Sequence, residues 1–359
     1  PPPPPPPPLF FYMIRRPPRS TLDRSSAASD VYKRQTDEIL KEKFGEDGIV
    51  DFEGTGTDDT AVRNQLISTI LKCDGYPDVD SFAQSFIDSR SQNYQLWFIP
   101  VKNSFHKFSE GLALPAYSGW GNMQSSSTAM AISPMGIINA GNPRQAVTET
   151  TDIASLIHNG PTGFCRDAAC AIAAAVAAAF VPNAKVNEII ESSKKYLMPV
   201  SARELIDLID SAISMADRCG NYEDFREEYY RTSLRDVICD SRETIPATLA
   251  IVFLSQGDPK QAITWAANFG RDADTIACMV GGIVGALHGS SGLPEEWVEK
   301  ATNASAAESR YSGHHYTHDG EVSDAPTFDN LERAKKLETV IKTRLTDFNS
   351  VSDTISSMS

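Results

Sequence analysis

Apolar residues recur every three to four positions over most of the chain beyond Thr36, which is the spacing of helices that bury one face. The segment DDTAVRNQLISTILKC (58–73) sets Val62, Leu66, Ile70 and Leu71 on one stripe, and SFAQSFIDSR (81–90) is a shorter candidate. PRQAVTETTDIASLIH (143–158) opens on a proline, which suits a first helical turn, and carries Val147, Ile153, Ala154 and Ile157. CRDAACAIAAAVAAAF (165–180) is alanine-rich and apolar on almost every face, so it predicts a helix at the centre of the protein. Further helices are predicted at 183–197, 201–217, 246–256, 259–268, 272–288, 294–304 and 328–348. Strand patterns are scarce and no fixed-period repeat is visible. No apolar run reaches the roughly 20 residues that cross a bilayer. Pro100 to Gly141, rich in Gly, Ser and Pro, reads as the main irregular region and the natural place for binding loops. The prediction is one all-helical domain over 36–305, then a polar loop and a terminal helix within 306–359.

Composition narrows the partners. With 359 residues and 41% hydrophobic content the chain can bury a sizeable core. Its formal net charge of -14 argues against nucleic acid or an anionic membrane as the main partner, since both need a basic face. Cys73, Cys165, Cys170, Cys219, Cys239 and Cys278 are scattered without a CxxC pair, the pattern of reduced thiols in a cytoplasmic protein. The first 35 residues stand apart. They open with eight prolines, hold six basic residues against Asp23 and Asp30, and show no helical or strand period. They resemble a translated sequencing adapter joined to a homopolymer run, and the expectation is a disordered, non-native segment. Without it the chain carries 27 basic and 45 acidic residues, six basic and two acidic fewer than the whole.

Two helix starts carry the candidate chemistry. GTGTDDTAV offers Thr57, Asp58 and Asp59, and GRDADTIA offers Asp272, Asp274 and Thr275. One reading is capping, because Asp and Thr satisfy the first free amides of a helix and complement its dipole. Against it, a cap needs one such side chain, and each start carries two aspartates. If the two starts meet, each carboxylate pair at about 4 Å costs on the order of 4 kcal/mol at an effective dielectric near 20. Such a cluster survives by protonation or by binding cations, and hard divalent ions take this set of carboxylate and hydroxyl oxygens.

The TDDT and DADT motifs, the latter running into IACMVGGIVGALHG, resemble the ADP-ribosylglycohydrolase family, which includes dinitrogenase reductase-activating glycohydrolase and the J1 crystallins. SSSTAMAISPMG (125–136) resembles the family's substrate loop, and ASLIH (154–158) its Thr-His segment. The resemblance implies an all-α fold, a compact single-domain orthogonal helical bundle, with two Mg²⁺ ions, Mn²⁺ being the alternative. It implies that Thr57, Asp58 and Asp59 hold one ion, Asp272 and Thr275 the other, and that Asp274 is shared. Ser126, Ser127, Met130 and His158 would contact ADP-ribose or an ADP-ribosylated protein or small molecule. The implied reaction is hydrolysis of the glycosidic bond by a metal-activated water held by Asp58, Asp59, Asp272 and Asp274, with no side-chain nucleophile. The alternatives are a hydrolase of another ribosyl compound, such as a nucleoside or nucleotide, and an inactive crystallin-like binding protein.

The chain also departs from the family. A GDALGxP segment with a glutamate a few residues on is expected near the start and is not in this sequence, so no catalytic side chain is assigned and a truncated N-terminus is expected. Glu38, Glu42, Glu46 and Glu53 stand nearby without a reason to promote one. Ala131 replaces a common arginine, serines 125–127 replace glycines, and Arg271 stands where Gly or Asp is frequent, so an Arg contact to phosphate or to Asp272 is one expectation. HHYTHDG (314–320) reads as a solvated loop, with zinc binding as the lesser alternative. His158 reads equally as a substrate contact or a hydrogen-bonded helix end, and His288 as a C-terminal cap. Tyr117 and Trp120 read either as base-stacking or as packing residues.

Overall fold

The structure, a computed structural model of the chain, describes residues 57–90, 94, 97–306 and 330–358. Among these residues the elements are helical, and an isolated backbone bridge joins Trp120 to Asn159. The first 35 residues, the four glutamates at 38–53 and the HHYTHDG tract lie outside the described residues.

Helices α1 (Asp58–Lys72), α2 (Val79–Asp88), α3 (Ile99–Ser109) and α4 (Pro115–Ser118) form the first part. Asp78 starts α2 by accepting the Ser81 amide, and the Ser81 hydroxyl answers the Asp78 amide. Then come α5 (Ser133–Ile138), α6 (Pro143–Ser155), α7 (Gly163–Ala179) and α8 (Val186–Lys195). The second half holds α9 (Arg203–Cys219), α10 (Tyr222–Thr232), α11 (Ser241–Leu254), α12 (Pro259–Phe269), α13 (Ala273–His288), α14 (Glu295–Ala306) and α15 (Asn330–Ser357). Alanine-rich α7 is the axis of the core and packs against α5, α6, α8, α11 and α13. Small side chains permit this: a Cβ at Gly136 of α5 would lie 2.6 Å from the Ala173 carbonyl oxygen of α7.

Four expectations are corrected. About half of the stretch Pro100 to Gly141 is helical, since α3 takes its start from Pro100 in the first turn and buries Val101, Ser104 and Phe105. Helix α10 was not anticipated, although Tyr222, Phe225 and Tyr229 form a buried stripe at helical spacing. Helix α11 begins before 246 with Pro246 inside it, because Asp240 accepts the Arg242 amide and fixes the start upstream. Finally, the helical run Gly160–Ala179 is 20 residues long and apolar enough to cross a membrane by length and composition, and 83% of it is buried within the protein, where it forms the core.

The terminal helix α15 is keyed to the body. Arg344 is buried and donates to the Gly75 carbonyl (2.6 Å), to Asn139 Oδ1 (2.9 Å) and to Glu149 Oε1 (2.7 Å). Arg333 reaches the Asn64 carbonyl of α1 (3.3 Å), so α15 braces the helix that begins at Asp58.

Candidate metal centre

The two aspartate-bearing helix starts meet. Helices α1 and α13 pack together, and carboxylate oxygens of Asp58, Asp59 and Asp274 all lie within 4.8 Å of one another. Below them Arg63 of α1 points Nη1 at Cys278 Sγ of α13 (4.0 Å), one turn inside the same helix pair. The turn Ala129–Ala131 is wedged between α1, α7 and α13, which brings the serine loop 125–128 to the same place.

Capping does not account for these side chains. Thr57 occupies the capping position of α1 and Asp272 that of α13, yet neither side chain makes a cap hydrogen bond. The Thr57 hydroxyl donates instead to Asp59 Oδ2 (2.9 Å). Asp59 Oδ1 and Asp272 Oδ2 are buried without a hydrogen-bond partner. Asp272 lies against Asp274 and the Thr275 side chain, so all six residues named from the two motifs fall in one cluster.

The electrostatics follow from that crowding. Burial, then the Asp274 charge, pushes the Asp58 carboxyl up from 3.8 to about 6, while backbone amides and Lys102 of α3 pull the other way. Burial, then Asp274 and Asp58, holds Asp59 well above the ordinary range. Asp272 is raised by burial, then by Asp274 and Asp59. Three carboxyl groups that resist ionisation, gathered with Asp274 at one point, are what a site for a multivalent cation looks like before the cation's charge is counted.

The side chains expected to meet substrate lie in the protein interior. Ser126, Ser127, Met130 and His158 are all buried. Ser126 Oγ donates to the Cys239 carbonyl (3.1 Å) and shares a hydrogen bond with Thr244 Oγ1 (2.5 Å). Met130 presents its carbonyl to Cys278 Sγ (3.3 Å) from inside the core. Both ring nitrogens of His158 are engaged, Nε2 with Ser125 Oγ (3.1 Å) and Nδ1 with Thr128 Oγ1 (2.7 Å), and burial lowers its pKa to about 3. In this state His158 is a neutral post that shapes the serine loop. Arg271 has a different principal partner: its guanidinium forms a two-pronged ion pair with buried Glu243, Nε to Oε1 and Nη2 to Oε2 at 2.8 Å each, with the Asp272 charge acting on it as a lesser influence.

Tyr117 and Trp120 stand on the surface, 61% and 60% exposed, and the indole lies so close over Gly160 that a Cβ there would approach it to 2.4 Å. Lys107 secures this corner by donating to the Ser118 and Trp120 carbonyls and to Asn122 Oδ1. His288 ends α13 and lines a cleft of about 350 Å³ with Lys185, Gln256 and Leu287. A helix of 16 residues puts that cleft roughly 24 Å from the carboxylates, too far to share their chemistry.

Fold and site together define an all-α protein whose charged centre is built from two helix starts. The ADP-ribosylglycohydrolase family model matches residues 22–320, and the chain belongs to that family, a class of hydrolases of ADP-ribosyl glycosidic linkages. The match reaches beyond 36–305 at both ends. Over 74 residues the chain is 43% identical to the ADP-ribosylarginine hydrolase Tri1 of Pseudomonas putida (strain GB-1), a stretch covering 20% of each protein. The Tri1 of Serratia proteamaculans (strain 568) is 38% identical over 74 residues, again 20% of each. The uncharacterized protein YegU of Escherichia coli (strain K12) is 24% identical over 253 residues, 66% of this chain and 72% of that one. The chain thus matches about a fifth of the length of the Tri1 relatives.

Proposed function

We propose that this chain is a metal-dependent hydrolase that cleaves the glycosidic bond between an ADP-ribosyl group and the atom it modifies. The observation that carries the reading is the convergence of Asp58, Asp59 and Asp274 within 4.8 Å from two helix starts, with neither capping residue used as a cap. A divalent cation fits these residues. Asp59 Oδ1 and Asp272 Oδ2 are buried acceptors without partners, and the donors are hard oxygens of the kind Mg²⁺ and Mn²⁺ select. In this reading Thr57, Asp58 and Asp59 hold one Mg²⁺, Asp272 and Thr275 a second, and Asp274 serves both. When bound, such ions supply Lewis acidity that makes water a nucleophile at neutral pH and anchors ribose hydroxyls.

The chain's own residues do the rest. The paired helix starts keep the carboxylates together against their repulsion. Neutral His158 fixes Ser125 and Thr128, so the loop beside the carboxylates holds its shape without adding charge to a site for an anionic substrate. Cleavage breaks the bond at ribose C1′, the electron pair leaves with the modified group, and water supplies the hydroxyl to C1′ and a proton to the leaving group. The substrate is an ADP-ribosylated protein or small molecule. The arginine linkage named for the Tri1 relatives is the first to test. All six cysteines are free thiols, which supports a cytoplasmic setting.

The test is release of ADP-ribose from ADP-ribosylated arginine and serine peptides, with Mg²⁺ or EDTA, by the wild type and Asp274→Asn. The reading expects Mg²⁺-dependent release that the variant lowers on the order of 10²-fold or more. Release that survives EDTA, or an Asp274→Asn rate equal to the wild type, refutes it.

A further inference from the structure

The turn that delivers Asp272 and Asp274 has an unusual backbone. Gly270 and Arg271 both have positive φ, 85° and 57°. Glycine adopts this region freely, whereas arginine has a Cβ that disfavours it by about 1 kcal/mol or more. Something must therefore hold Arg271. The candidates are on the page. Arg271 makes its two-pronged pair with Glu243 and a further hydrogen bond from Nη2 to the Arg235 carbonyl. Glu243 is fully buried and also accepts the Arg235 amide (2.6 Å). The residue before the turn is fixed too, since the Phe269 carbonyl accepts from Tyr230 Oη (2.5 Å) and Arg226 Nε (2.8 Å).

Glu243 sits in the first turn of α11, and the same turn holds the serine loop. Ser241 Oγ donates to the Ser125 carbonyl (2.7 Å), and Thr244 Oγ1 meets Ser126 Oγ. One helix start therefore grips the loop on one side and the aspartate turn on the other. We infer that Glu243 is the positioning residue of the centre: by pinning Arg271 in the left-handed region it sets where Asp272 and Asp274 stand relative to Asp58 and Asp59. This rests on the metal reading above. It also explains an arginine at a position where glycine would need no partner: Arg271 and Glu243 are one device, and losing the glutamate alone is worse than losing both.

The test titrates Mn²⁺ alone into the folded chain at neutral pH, by calorimetry and electron paramagnetic resonance. Wild type, Glu243→Gln, Arg271→Gly and the double variant are compared, with circular dichroism reporting the folded fraction. Glu243→Gln is expected to weaken Mn²⁺ binding about 10- to 100-fold, in the range seen when residues that orient metal ligands are changed. Arg271→Gly and the double variant are expected within about threefold of the wild type, because glycine takes this φ unaided. If Glu243→Gln does not fold, Arg271→Ala asks the same question from the other side, with binding expected about tenfold weaker. Unchanged affinity in Glu243→Gln, or a double variant as weak as Glu243→Gln, overturns the inference alone. A wild type that binds no Mn²⁺ overturns the metal reading and this inference with it.

Discussion

Replacing Asp58 by asparagine removes one charge from the carboxylate cluster and leaves its shape. The Asp58 carboxyl is raised from 3.8 to about 6, chiefly by burial and then by Asp274, and about two pH units correspond to about 3 kcal/mol. Coulomb's law agrees: two ionised carboxylates within 4.8 Å repel by about 3 kcal/mol or more at an effective dielectric of 20. Allowing about 1 kcal/mol for the weaker interaction of asparagine with the amides and dipole of the α1 start, Asp58→Asn stabilises the metal-free chain by about 2 kcal/mol at pH 7.5. That raises the unfolding midpoint by roughly 4 °C. The pH dependence has a definite sign. The folded state keeps the Asp58 proton to about pH 6 and the unfolded chain releases it near 3.8, so this group's stabilisation is complete below about 3.8 and is lost as the pH rises through about 6. The order reverses with a cation. At 100 times its dissociation constant an ion stabilises the wild type by about 2.7 kcal/mol, and the variant, lacking a ligand, gains little. Thermal unfolding of both proteins in EDTA and in Mg²⁺, from pH 4 to 8, reads all of this. A variant less stable than the wild type in EDTA at pH 7.5, with no crossover in Mg²⁺, refutes the reasoning.

Three further outcomes are expected. The His158 ring does not titrate between pH 5 and 8 by NMR, because burial lowers its pKa to about 3, and its contribution to stability is present above pH 6.5 and lost as the pH falls towards 3. His158→Ala strands the Thr128 hydroxyl, leaves Ser125 only its bonds to Ser127, and costs about 3 kcal/mol in urea unfolding. Arg344→Met leaves Asn139 Oδ1 and the Gly75 carbonyl without their donor and Glu149 without its cation, costs about 3 kcal/mol, and makes α15 the first target in limited proteolysis. Gly136→Ala puts a methyl 2.6 Å from the Ala173 carbonyl oxygen and Val176 Cβ, forces α5 off α7, and costs about 1 to 3 kcal/mol in the same assay.

Much of the fold was legible because helices write their buried face into the local spacing of residues. Val62, Leu66 and Ile70 announce α1, and the alanines of α7 announce a helix that neighbours can approach on every side. The misses share a cause. Helix α10 is so rich in charge that its aromatic stripe does not stand out, and the glycines and serines after Pro100 mask the apolar face of α3. Family resemblance added what periodicity could not, the pairing of two distant aspartate motifs.

The sequence by itself determined the class of fold and the identity of the six oxygen-bearing residues at two helix starts, since both are local properties of short segments. Only the tertiary structure decided that Asp58 and Asp274, more than 200 residues apart, share one site, with the neighbouring Thr57 and Asp272 making no cap hydrogen bond. It also decided that Ser126 and His158 are spent on internal hydrogen bonds, and that Arg271 answers to Glu243, 28 residues away. The physical reason is the same throughout. Periodicity tells which face of a helix leaves water, but the partner of a buried hydroxyl, imidazole or guanidinium is set by which buried faces meet, and that is a property of the packing.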